Sequence, residues 1–191
     1  IPKSVMKIGQ GAFSCCDNLE SIKVDKNNKI YDSRENCNAI IEKSSSALIA
    51  GCKNTEVPSG VTQMGERAFY GCSGLTSITL PESVTEIGEF AFSDCSGLTS
   101  ITLPESVTEI REFAFSDCSG LTSITLSDRI TKIGNGVFCG CSHLTSVVLP
   151  NSVAEVNSMA FEGCDNLTSI TWKGKVYGSV NDFFDSGVKI I

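Results

Sequence analysis

Ten cysteines and a single histidine carry the strongest intrinsic chemistry in this 191-residue chain, and their spacing decides what they can do. Cys72, Cys95, Cys118, Cys141 and Cys164 stand 23 residues apart, and Cys16 takes the same place in an earlier stretch. Ten cysteines in a small secreted protein would suggest a disulfide framework. A constant period suggests instead one thiol per layer of a stack, each packed as a small apolar side chain. The same residues argue against zinc. No CxxC pair occurs, and His143 is the only imidazole available to complete a tetrahedral site. His143 stands where other copies have Gly or Asn, in a turn, so it reads as a solvated turn residue. Without a base beside it, no hydroxyl or thiol is set up as a nucleophile. Glu82, Glu86, Glu105, Glu109 and Glu155 recur with the period. Paired carboxylates serve glycoside hydrolysis, but in an array each is the solvent-facing residue of its own layer. No phosphate-binding or calcium-binding loop is present. The chain is expected to be no enzyme and to hold no cofactor and no metal.

Four cysteines lie off the ladder. Cys37 and Cys52 sit symmetrically about Ser44–Ser45. They would face each other across two strands, and either bridge if oxidised or pack as thiols. Cys15 and Cys139 occupy variable places and are expected at the surface, where a free thiol is a liability in an oxidising medium.

The elements that position these residues are repeats. Ser83–Leu126 contains two nearly identical units, SVTEIGEFAFSDCSGLTSITL and SVTEIREFAFSDCSGLTSITL. A fixed period in the 20–50 range indicates a repeat architecture. Seven units align: 4–24, 25–59, 60–80, 83–103, 106–126, 129–149 and 152–172. Their frame is V-x-x-I-G-x-x-A-F-x-x-C-x-x-L-x-x-I-x-L-P. The I-x-L segment alternates, so Ile78 and Leu80 face one way while Ser77 and Thr79 face the other. The proline that follows stops the strand. V-x-x-I is a second extended piece with Val84 and Ile87 inward. The Gly after it suits a bend or a positive φ, although Arg111 and Asn157 interrupt it. A-F-x-x-C-x-x-L has the spacing of a helical or 3-10 turn. The unit 25–59 is longer. Asn38–Ile41 and Ala47–Ala50 flank the polar turn Glu42–Ser46 and read as an inserted hairpin, and Thr55–Pro58 reads as a strand rejoining the stack. Residues 173–191 leave the frame and are expected to cap the core, with Phe183 and Phe184 folded over its end.

The fold class predicted is a single solenoid domain over 1–191, with a parallel sheet of short strands, short helical or 3-10 turns opposite, and one β-hairpin insertion. One coil cannot bury its own apolar residues. Stacked at about 4.8 Å, seven coils make a continuous core roughly 30–35 Å long.

Composition narrows the partners. Apolar residues make up 41% and charged residues 19%, as in an ordinary folded protein. The net charge of −7 argues against nucleic acid and against anionic lipid. No apolar run approaches the ~20 residues of a membrane helix. Ile1-Pro2 opens directly into a repeat with no signal peptide, so a mature form or an excised piece is expected.

Two surfaces stand out as candidates for recognition. Ser77 with Thr79, Ser100 with Thr102, Ser123 with Thr125, Ser146 with Val148 and Ser169 with Thr171 form a flat, largely hydroxylic ladder on the strand face. Such a ladder suits hydrogen-bonded protein or glycan contacts, or simply solvates the sheet. The place before Ala-Phe holds Gly11, Arg67, Phe90, Phe113, Gly136 and Met159. Phe90 and Phe113 would stack there as neighbours, exposed or packed against the adjacent turn.

The frame L-x-x-I-x-L-P-x-x-V-x-x-I-G-x-x-A-F-x-x-C resembles the BspA-like class of leucine-rich repeats from Ser4 to Trp172. The resemblance implies a right-handed solenoid and a bacterial cell-surface or secreted protein that binds host or matrix proteins. It supplies no catalytic residues. The function expected is a monomeric, non-enzymatic recognition module acting in protein binding or adhesion. A passive spacer presenting another domain and a carbohydrate-binding module are the alternatives.

Overall fold

The computed structural model describes residues 1–191. The chain forms a solenoid whose regular coils run from Gly60 to Trp172, preceded by the irregular hairpin coil. The hairpin region supplies β1 (Tyr31–Asp32), β2 (Ile40–Glu42) and β3 (Ala47–Ala50), paired antiparallel in that order. The regular coils then contribute short strands alternately to two corners. V-x-x-I gives β4 (Gln63–Met64), β5 (Glu86–Ile87), β7 (Glu109–Ile110), β9 (Lys132–Ile133) and β11 (Glu155–Val156). I-x-L gives β6 (Ser100–Thr102), β8 (Ser123–Thr125), β10 (Ser146–Leu149) and β12 (Ser169–Trp172). Neighbouring coils pair in parallel and in register, with Ile101 opposite Ile124 and Val147 opposite Ile170. A 46-residue core runs through the stack.

Cohesion resides mainly outside the strands. Of 87 backbone–backbone hydrogen bonds, only 19 fall within helices and strands. Many of the others join the Ala-Phe turns of successive coils: Phe69 N–H to Ala91 O at 2.8 Å, Phe92 N–H to Ala114 O at 2.8 Å, Phe115 N–H to Val137 O at 3.0 Å. This explains why the predicted turns stay single. Each is closed by i→i+3 bonds such as Leu98 N–H to Cys95 O, 3.0 Å. The alternate N–H groups, however, point along the stack to the next coil. Aiming them there requires left-handed residues at Phe90 and Asp94, at Phe113 and Asp117, and at Gly136 and Gly140.

The positive φ therefore lies at the place before Ala-Phe, not at the Gly after Ile. Gly88 has an ordinary φ and is needed for room, since a Cβ there would stand 2.6 Å from Met64 O.

Three expectations need correction. Thr55–Pro58 joins no strand; it is tied to the hairpin by Glu56 N–H to Cys37 O at 3.1 Å and by Thr55 Oγ1 to Asn38 O at 2.8 Å. Ser77–Leu80, with no strand before it, stays outside the sheet, although the same residues recur as Ser100–Leu103 within it. The hairpin also carries a register shift: Glu42 pairs with Ala47 and Ile41 with Leu48, but Ile40 pairs with Ala50. That bulge breaks the symmetry on which a Cys37–Cys52 bridge depends. Both thiols are free and buried. Cys37 packs in the main core and Cys52 in a separate five-residue cluster with Ile22, Tyr31, Ile40 and Ala50.

At the other end, β13 (Lys175–Tyr177) turns back antiparallel on β12. The short helix α1 (Val180–Phe184) follows, with Ser179 Oγ accepting from Asp182 N–H. It drives Phe183 fully into the core, edge-on to Trp172 at 5.8 Å and to Tyr177 at 5.6 Å. Phe184 packs beside it, partly buried. Finally β14 (Lys189–Ile190) adds in parallel to β11.

At the V-x-x-I corner the stack has one seam. Between other regular coils the V-x-x-I corner is held three ways: Thr85 N–H donates to Thr62 O at 2.9 Å, Gly88 N–H to Met64 O at 2.8 Å, and Ser83 Oγ to Val61 O at 2.7 Å. The same set joins 106–126 to 83–103, and 152–172 to 129–149. Between 106–126 and 129–149 all three are missing, and β7 and β9 end separate sheets. The sequence accounts for one of them directly: Arg129 stands where Ser83, Ser106 and Ser152 supply the clamp.

Candidate functional site

The cysteine ladder is structural in its geometry. Cys95, Cys118, Cys141 and Cys164 are buried, and each donates its S–H to the Phe carbonyl of the preceding coil at 3.0–3.1 Å. Sulfur suits this place because it is small, apolar and still able to reach a second lone pair. Cys72 is buried likewise. Cys16 departs from the expected ladder: it is exposed, with no preceding coil to pack against. Burial pushes the Cys72 thiol up to about 11 and the Cys164 thiol up to about 12. It raises Cys139 too, with Asp117 and Glu162 adding to the effect. Two thiols, Cys15 and Cys16, are therefore expected to react within seconds with Ellman's reagent at pH 8, Cys139 slowly, and the other seven only on unfolding. Four or more fast thiols would contradict this packing.

Of the recurring acids, Glu86, Glu109 and Glu155 form ion pairs. Glu86 accepts from Arg111 Nε and from Gln63 Nε2, and Glu155 from Lys189, which holds the Glu155 carboxyl below its usual range. His143 is exposed and donates from Nδ1 to Ser119 O at 2.6 Å. No three His, Cys, Asp or Glu side chains gather at one point.

On the strand face, Ser100 and Ser123 lie opposite each other, as do Thr102 and Thr125, all exposed. Ser169 and Thr171 continue the rows half-buried, opposite Ser146 and Val148. Val148 is 62% exposed, an apolar break in the threonine row. None of the Ser77, Thr79, Ser100, Thr102, Ser123, Thr125, Ser169 or Thr171 hydroxyls is engaged within the protein. Shallow hollows flank Ser77–Thr79 on both sides, of about 320 and 280 Å³, because that segment is not drawn into the sheet.

The second surface is an aromatic ridge. Phe90 and Phe113 stack at 5.1 Å with their planes 6° apart, and both are half-buried. The Arg67 guanidinium lies 4.9 Å over the Phe90 ring, and Tyr70 meets the same ring edge-on at 6.2 Å. The far face of Phe113 rests on Gly136, where an added Cβ would stand 2.2 Å from the ring. Both ring faces are thus covered and the ring edges are left outward. Phe90 has φ 53° and Phe113 φ 55°. A bulky residue there costs roughly 1–2 kcal/mol relative to ordinary backbone. Gly11 and Gly136 occupy the same place without that strain. Met159, also at this place, is 43% exposed and has left the left-handed region, its N–H held by Asn157 Oδ1.

The sequence profile of the BspA type leucine rich repeat region matches residues 1–47 and 40–168 in six copies. The chain belongs to the BspA-type leucine-rich repeat family. No curated protein matches its sequence. Among solved structures, a leucine-rich repeat protein from Bacteroides ovatus is 29% identical, with a TM-score of 0.66 over 85% of this chain and 40% of its own. A leucine-rich cell surface protein from Faecalibacterium prausnitzii is 25% identical, TM-score 0.61, over 97% and 48%. The pneumococcal vaccine antigen PcpA is 25% identical, TM-score 0.75, over 92% and 44%. The chain thus spans less than half the length of these proteins. The repeat solenoid with parallel sheets and very little helix is the fold they share. No helix of the chain is long and apolar enough to cross a membrane.

Proposed function

We propose that this solenoid is a non-enzymatic protein-recognition module of a bacterial cell-surface or secreted protein, acting in adhesion, with the Phe90–Phe113 ridge as its principal contact. The observation that carries the reading is strain kept where glycine would remove it. Two consecutive coils hold phenylalanine in the left-handed region, half exposed and stacked, and the coil before them holds Arg67 there too, while Gly11 and Gly136 show that glycine serves the place without strain. Strain of this kind persists where a surface is being used. The ridge favours protein over glycan, because its ring faces are covered by Arg67 and Gly136 and leave no platform for a sugar ring. The outward ring edges suit apolar side chains of a partner, with the unengaged hydroxyls of the strand face as a second, polar contact.

The test replaces both residues by glycine, F90G/F113G. Glycine relieves the backbone strain as it removes stacking worth about 0.5–1.5 kcal/mol per pair, so Tm is expected to move by only a few degrees. Capture of a partner from a panel of extracellular-matrix proteins should fall at least tenfold. If no panel member binds the parent protein, or if the double variant binds unchanged, the spacer reading replaces this one. If glycans bind in place of proteins, the carbohydrate reading does.

A further inference from the structure

The seam between the coils at 106–126 and 129–149 opens into a cleft of about 650 Å³. It is wedge-shaped. On the turn side the coils stay joined, with Phe113 N–H to Asn135 O at 2.9 Å and Asp117 N–H to Cys139 O at 2.7 Å. On the strand face the join is thin: β8 and β10 share one register pair, with Thr145 N–H 3.5 Å from Thr122 O. At the corner between β7 and β9 it is lost, the nearest remaining bonds being Ser127 Oγ to Glu105 O and Asp128 N–H to the Glu105 carboxylate, both 3.2 Å, two residues or fewer before Arg129. A Cβ on Gly134 would meet nothing of the coil before it, whereas one on Gly88 would strike Met64 O.

We propose that this cleft binds an extended, basic peptide segment, which lies between β7 and β9 and completes the interrupted ladder. The lips are complementary to a peptide backbone. One carries the free carbonyls of Thr108 and Ile110, the other the free N–H groups of Thr131 and Gly134. An anion satisfies only the second lip and a cation only the first; an extended chain donates and accepts at the strand repeat and satisfies both. Charge selects the side chains. Glu89, Glu109 and Glu112 face Arg111 and Lys132 in the cleft. Arg111 is held by Glu86 and lies 3.6 Å from Glu109, whereas Glu89 and Glu112 have no ion pair. The chain's net charge of −7 draws a basic segment in from a distance. Beneath the cleft Ile110 and Ile133 are buried, so the residue turned inward is apolar and its neighbours are basic. The cleft opens at the corner of these coils, and the aromatic ridge stands on their turn side.

The probe is fluorescein-labelled Lys-Val-Lys-Val-Lys, titrated with the whole chain and followed by polarisation. Saturable binding is expected, at least tenfold tighter than for the Glu-Val-Glu-Val-Glu peptide or for the N-methylated basic peptide, whose backbone cannot donate. E89Q/E112Q should weaken binding about tenfold. R129S, which restores the serine clamp, should close the seam, raise Tm and weaken binding at least tenfold. Circular dichroism establishes that each variant is folded. The proposal is overturned by absence of saturable binding, by equal binding of the N-methylated peptide, by R129S binding as tightly as the parent, or by displacement of the probe by a neutral oligosaccharide.

Discussion

Raising the pH from 8 to 11, with reductant present, is expected to unfold the protein, with a midpoint at about pH 10. The ladder thiols ionise in place only at a higher pH than an unfolded thiol does. Burial lifts Cys72 to about 11 and Cys164 to about 12, and lifts Cys95, Cys118 and Cys141 further. In an unfolded chain a thiol titrates near 8.5. Below that value both states keep the proton and the contribution of the ladder is complete. Above it the unfolded chain releases protons that the folded chain retains, so stability falls with pH until the folded value is reached. Each thiol in that window lowers the unfolding free energy by up to about 1.4 kcal/mol per pH unit, and five together by up to about 7. A domain has about 5–15 kcal/mol in all. Urea midpoints measured at half-unit intervals should therefore drop steeply above pH 9. Cys118→Ala should have a shallower slope by about one proton. Midpoints that stay level to pH 11 would refute the buried ladder.

Phe115→Ala is expected to cost about 3–5 kcal/mol and to lower Tm by roughly 10 °C. Phe69, Phe92, Phe115, Phe138 and Phe161 form one continuous stack, with centroid separations of 5.2, 5.3, 6.0 and 5.7 Å. Phe115 is wholly buried at its middle. In a solenoid each unit contacts only its neighbours, so a cavity there weakens two interfaces at once. Phe161, at the end of the stack, has one such neighbour ring, and Phe161→Ala should cost less. Thermal melts of the two variants side by side make the comparison. An equal or greater loss at Phe161 would mean that stability does not run along the stack.

The aromatic ridge was legible as a neighbouring pair, since Phe90 and Phe113 stand one period apart. Its strain was not, because the residue that must adopt a positive φ is fixed by where the turn's N–H groups point, and that depends on the next coil. The seam left a trace in the sequence at Arg129 and Arg111, but a lone arginine at a surface position looks like any solvated side chain. Only the missing hydrogen bonds of Thr131 and Gly134 reveal a cleft. Cys37 and Cys52 teach the same lesson: equal distance from a turn predicts facing residues only while the register holds, and a one-residue bulge turns the two thiols to different cores.

By itself the sequence determined the solenoid. A 23-residue period that repeats Val, Ile, Phe, Cys and Leu leaves each coil with apolar residues it cannot bury alone, and stacking is the one arrangement that covers them. The tertiary structure decided which coils join tightly and which do not. Thr76–Glu82 and Thr99–Glu105 have the same sequence, yet one lies outside the sheet and the other forms β6. A two- or three-residue strand has no stability of its own, so whether it forms is settled by the backbone beside it.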